Sequence, residues 1–193
     1  MNVIDDKAFP IVAKMIRGES VILDPRTQSD LALWICKIVV TARSINHRDL
    51  PGDIKWAEWL YQRREPLPDW QIWIAHYVGS APFYYQTHGI DVREPPGPNQ
   101  SPSEMPIIDA DGAMATLTMG YFVAQIFGFS SSMKWAATET QGFPRIWPMS
   151  KFLIPWPSFP SLDDNGLRFA AQRLLATKVP GLPVHSDEVK PIS

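Results

Sequence analysis

A chain of 193 residues fits one domain, and folding at this length buries roughly 70% of the surface that the unfolded chain exposes. Apolar residues supply 45% of it and charged residues 20%, an ordinary soluble balance, and no apolar run approaches the ~18 residues that span a bilayer. The net charge of −2, with a pI of about 6.1, provides no global basic field to draw the chain onto nucleic acid or an anionic membrane.

The single cysteine, Cys36, cannot close an internal disulfide, which fits a reducing compartment and predicts a cytoplasmic protein. The opening MNVIDDKAFP carries two acids and no apolar core of a secretory signal. Eight tryptophans and 19 prolines point to a loop-rich fold with large aromatic anchors, not a plain helical bundle.

In chain order, residues 1–8 read as a loose lead-in to a single domain spanning 9–179. The apolar stretch 9–16 suits a short helix or strand, ended by Gly18. A β-like run at 20–23 precedes Asp24 and Pro25, an N-cap followed by proline at the first helical position, with Thr27 and Ser29 as alternative caps. The helix that follows carries a narrow polar stripe of Asp30, Lys37, Thr41 and Ser44. Leu31, Leu33, Trp34, Ile35, Ile38, Val39, Val40 and Ala42 cover most of the rest, so it should be buried on most sides. A break at Leu50-Pro51-Gly52 leads to a second helix capped by Asp53 and stopped by Pro66 and Pro68. Its polar stripe is Lys55, Glu58, Gln62 and Glu65; its apolar face is Ile54, Trp56, Ala57, Trp59, Leu60 and Tyr61.

From Trp70 the period changes to two. Runs 71–78 and 83–92 flank Gly79-Ser80-Ala81-Pro82 and predict a β-hairpin that sets His76 opposite Tyr85. Segment 94–106, with five prolines, reads as a surface loop. Runs 107–109 and 113–123 flank Ala110-Asp111-Gly112, a tight-turn signal, with Gly120 marking a bend in the second. Segment 143–160 interleaves five prolines with five aromatics as irregular strands and turns. Ser161 or Asp163 opens an amphipathic C-terminal helix carrying Leu167, Ala170, Ala171, Leu174 and Leu175, and 180–193 reads as a disordered tail. The order predicts an α+β fold: a long buried helix and a second helix packed on an antiparallel sheet, then the C-terminal helix.

Chemistry-bearing motifs are sparse. His47, His76, His88 and His185 share no metal-ligand spacing with each other or with Cys36, so no metal and no cofactor is expected. Asp109 and Asp111 lack the closing glutamate of a calcium loop. Cys36 lies in the buried helix as a small core residue. Ser130-Ser131-Ser132 with Lys134 has no accompanying nucleophile elbow, and no catalytic residue is assigned. Arg43, Arg48, Lys55, Arg63 and Arg64 could gather at the junction of the two helices and meet phosphates, although Asp49, Glu58 and Glu65 interleave with them.

Within the stretch 9–40, Gln28, Leu31, Ala32, Trp34 and Lys37 form a pattern of a glutamine, then Leu-Ala-x-Trp-x-x-Lys. This stretch resembles the region that follows the cysteine-containing core in bacterial and phage HNH-endonuclease-like proteins. Trp156-Pro157 and the helix after it are similar to the end of such proteins. The resemblance implies an accessory, C-terminal region without its nuclease part. The paired cysteines and the metal-binding histidine segment of that part are not matched by any residue here.

These readings converge on a non-catalytic interaction domain that binds a protein partner, with nucleic acid a lesser alternative and no membrane contact. Candidate contacts are Lys37, Thr41, Arg43, Arg63, Arg64, Trp147 and Trp156, although burial of most aromatics in 143–160 is favoured, because the last helix needs an apolar bed. Two other readings stay open. One is a hydrolase or nuclease whose site assembles from His76, Tyr85, Glu58 or Asp53; the other is a DNA-binding module that uses the junction 43–64.

Overall fold

The computed structural model describes residues 3–46, 51–93, 107–128, 143–157 and 161–176. In chain order these form α1 (Val3–Ile16), β1 (Val21–Leu23), α2 (Pro25–Asn46), α3 (Pro51–Arg63), β2 (Trp70–His76), β3 (Phe83–Arg93), β4 (Ile107–Met119), β5 (Phe122–Gly128), β6 (Arg145–Trp147), β7 (Ile154–Trp156) and α4 (Asp164–Ala176). The class is α+β. The loop 94–106, the tail 180–193 and the serines of 130–132 lie outside the described residues.

The first helix begins well before Phe9, so residues 3–8 are not a loose lead-in. Ala8, Val12 and Met15 recur at helical spacing and are buried, with Ile4 packed one turn earlier. Pro10 lies on the exposed side, where the carbonyl it leaves unbonded can meet water. The helix closes on Gly18, whose φ of 74° permits the Schellman pair: Glu19 N–H donates to the Lys14 carbonyl at 2.9 Å and Gly18 N–H to that of Met15 at 3.0 Å.

Helix α2 starts as its sequence predicts, with Thr27 N–H donating to the Asp24 side chain at 2.7 Å. Its 22 residues span about 33 Å, and Leu31, Ala32, Ile35, Cys36 and Val39 are fully enclosed. Helix α3 buries a narrower face than its composition suggests. Trp56 and Leu60 are inside and Trp59 is half-buried, while Ile54, Ala57 and Tyr61 face solvent. It starts at Pro51, so Asp53 lies within it and does not cap it.

The main sheet has the order β3-β4-β5-β2-β6, antiparallel throughout. This overturns the hairpin expected between β2 and β3. β2 instead pairs β5 on one side and β6 on the other, so His76 stands opposite Phe122, Tyr85 opposite Leu117 and His88 opposite Met114. The physical reason lies in the intervening turn. Ser80 donates both its amide and its hydroxyl to Asp164, and Ala81 N–H donates to Tyr77 Oη, so the chain is bound to α4 instead of folding back on itself. A Cβ at Gly79 would collide with Asp164 and Tyr77. β2 is also buried along nearly its whole length, in keeping with an inner strand of a sheet covered on both faces.

The tight turn read at Ala110-Asp111-Gly112 is likewise absent. These residues continue β4, and the register against β3 shifts beside them, between Ile90 and Val92, so a bulge absorbs the local irregularity. The true turn is Gly120-Tyr121, joining β4 to β5 with φ 53° at Gly120. A side chain at Gly120 would strike the Ile16 carbonyl oxygen.

Alternation along the strands gives the sheet two buried faces. Trp70, Ile72, Ile74, Ala113, Ala115, Phe122, Ala124 and Ile126 share one apolar cluster with the buried residues of α1, α2 and α3. Trp73, Ala75, Tyr77, Met114, Val123 and Phe127 share another with Leu167 and Ala170 of α4. The layers are therefore three helices, sheet, one helix. A separate ribbon pairs β1 with β7, setting Val21 opposite Trp156, Ile22 opposite Pro155 and Leu23 opposite Ile154.

Candidate functional site

The ribbon has an inner and an outer side. Leu23, Ile154 and Trp156 point into the core, whereas Ile22 is 67% exposed and Pro155, opposite it, is also exposed. The segment leading into β7 adds Met149, Phe152 and Leu153 at 51%, 80% and 61% exposure. Exposed phenylalanine and leucine beside one another cost hydration free energy that a chain normally avoids.

The backbone beneath these side chains is held from below. Gln28, fully buried on the first turn of α2, donates Nε2–H to the carbonyls of Leu23 at 3.1 Å and Phe152 at 2.8 Å. Its Oε1 accepts Ser150 N–H at 2.8 Å, and Ser150 Oγ in turn accepts Phe152 N–H at 3.1 Å. One amide side chain thus ties β1 to the segment 150–152, using both its donor and acceptor character. Cis peptide bonds at Trp147-Pro148 and Trp156-Pro157 flank the segment. The exposed apolar residues on or next to this tied backbone, Ile22, Met149, Phe152, Leu153 and Pro155, are together termed the apolar platform.

A second cluster forms where β2 ends. The His76 ring lies 5.7 Å from the Tyr121 ring, stacked, and 5.6 Å from Trp156, edge-on. Its Nδ1 is 2.7 Å from the hydroxyl of Ser161. Partial burial lowers the pKa of His76, which favours the neutral ring. On the other face, Tyr77 donates to the Asp164 carboxylate, which also accepts from Ser80; these bonds hold Asp164 down at about 2. The Tyr77 hydroxyl is raised in turn, by desolvation first and then by Asp164.

The contacts expected from sequence are dispersed. Lys37 reaches Asp5 of α1 at 2.5 Å and ties two helices together. Thr41 is exposed. Arg43 is 1% exposed, with its guanidinium 5.3 Å from the Trp56 ring centre, so it faces inward and is corrected from a surface contact to an interior one. Arg63 lies over Trp59 at 5.7 Å and is exposed, as is Arg64, which adopts a φ of 55°. Trp147 is half-buried and donates to the Leu67 carbonyl at 2.8 Å, and Trp156 is 2% exposed. Neither tryptophan is an open anchor.

Of the dispersed catalytic candidates, His76 on β2 contacts Ser161, Tyr121 and Trp156, while Tyr85 lies on β3, with β4 and β5 between the two strands. Burial pushes the Cys36 thiol up to about 12, which disarms it as a nucleophile. Among the described residues no three of His, Cys, Asp and Glu gather as a metal site, and no helix is long and apolar enough to cross a membrane. Sequence reasoning passed over Gln28 as a functional support and Phe152 and Leu153 as exposed residues. A lone amide on an otherwise apolar helix face was the available signal for the first. No family model, curated protein or solved structure matches the chain.

Proposed function

We propose that this chain is an interaction domain that binds a protein partner through the platform of Ile22, Met149, Phe152, Leu153 and Pro155. The observation that carries the reading is the pairing of exposure with rigidity: the apolar side chains point outward while buried Gln28 fixes their backbone. Such preorganisation spares a complex the entropy of ordering a loop, and large apolar anchors dominate protein interfaces.

The chemistry favours protein over nucleic acid. Lys151 is the one basic side chain within 149–155, and the helix junction loses Arg43 to the interior. The resemblance of Gln28, Leu31, Ala32, Trp34 and Lys37 to the accessory region of HNH-endonuclease-like proteins supports a nuclease or defence complex of bacterial or phage origin as the setting, with the chain working in the cytoplasm. In this structure Gln28 and Lys37 act as ties and Leu31 and Ala32 as core, which suits a shared scaffold.

The test compares capture by the wild-type chain with capture by Phe152→Asp, from cells that naturally express it. Phe152 is exposed, so the variant should fold normally while losing its partner by about tenfold or more, the effect of removing an anchor worth over ~1.4 kcal/mol. Equal capture by both proteins, or no specific protein partner with either, would refute the reading.

A further inference from the structure

The serine–histidine contact at the end of β2 is not used by the platform and has the geometry of a reactive pair. Ser161 is exposed, and its Oγ is 2.7 Å from His76 Nδ1, inside the 2.6–3.2 Å range expected between a nucleophile and its base. Three features hold the two in place. The His76 ring is fixed between Tyr121 and Trp156. The backbone that follows Ser161 is stitched to the end of β2, with Leu162 N–H donating to the His76 carbonyl and Val78 N–H to that of Leu162, each at 2.8 Å. Beyond it, Asp163 starts α4 by accepting Gly166 N–H at 2.7 Å.

We propose that Ser161 is a nucleophile, activated by His76, that accepts acyl groups from activated esters with short apolar acyl chains. The bond between Ser161 Oγ and the carbonyl carbon forms, and the ester C–O bond breaks. The hydroxyl proton passes to His76 Nδ1 and from there to the departing alkoxide, so the ring returns to neutral. Water then attacks the acyl-serine with His76 taking its proton, and the free acid leaves; no oxidant or reductant is needed. A ring kept neutral by partial burial suits the role of base. Tyr121, stacked on the His76 ring and 46% exposed, offers the apolar wall that selects the acyl group. The Leu162 amide is already committed to the His76 carbonyl and cannot serve a developing oxyanion, so acylation is expected to be slow and site-selective.

An alkyl fluorophosphonate with a short chain tests this on the full-length protein, read by intact mass and peptide mapping. The expected result is one adduct per chain, at Ser161, absent from Ser161→Ala and formed about 100-fold more slowly in His76→Gln. In urea-unfolded wild-type protein the Ser161 adduct should also disappear, which keeps the test decisive if His76→Gln misfolds. No adduct at Ser161, an unchanged rate in folded His76→Gln, or equal labelling of the unfolded chain would overturn the proposal.

Discussion

Gln28 shows how a single polar residue in an apolar setting can fix a surface. Its amide donates to two carbonyls and accepts one N–H at the base of the platform. Gln28→Leu, of similar size, should cost about 2–3 kcal/mol in urea unfolding, because buried backbone groups lose their partners. Amide exchange at Ser150 should accelerate in the same variant, and unchanged stability would show that the clamp carries no weight. The residue lies one turn into a helix whose start is evident from Asp24 and Pro25, so its burial could be anticipated. Its targets could not: Phe152 is 124 positions away, and no local pattern encodes a contact at that distance. Ser161 and His76 present the same difficulty at a separation of 85.

At the scale of elements, periodicity located most helices and strands but not their partners. The alternation from Trp70 onward was sound as a strand signal. Turn composition at 79–82 then suggested a hairpin, yet those residues are held by Asp164 at the head of α4. That carboxylate links two elements across the sheet end and gives the fold an acid sensitivity of definite sign. Its folded pKa, about 2, lies below the ~3.9 of an unfolded aspartate, so its stabilisation is complete above that value and is lost as pH falls toward 2. Thermal melts of wild type and Asp164→Asn should differ most above pH 5 and converge as pH drops from 4 to 2. A constant gap across that range would assign the stability to something other than this carboxylate. The early start of α1 was legible in hindsight from Ile4, Ala8, Val12 and Met15, whose spacing by fours and three marks one helix face.

At the scale of the molecule, the described residues place a five-stranded sheet between helices on both faces, and that arrangement bears on what the surface can do. Helices α1 to α3 take one face and α4 the other, leaving the β1–β7 ribbon at the periphery with one side spent on the core. Sequence composition conveyed the class and the aromatic anchoring. It could not say which aromatics would finish outside: Trp156 lies within the ribbon and turns into the core, whereas Phe152 lies in the bend that precedes β7 and stays exposed. Hydrogen–deuterium exchange of the chain alone and bound to its captured partner tests the central claim most directly. Protection on binding is expected at 149–155 and 21–23, with α3 unchanged. Protection confined to α3 around Ile54, Tyr61 and Arg63, with the ribbon exchanging as in the free chain, would contradict it.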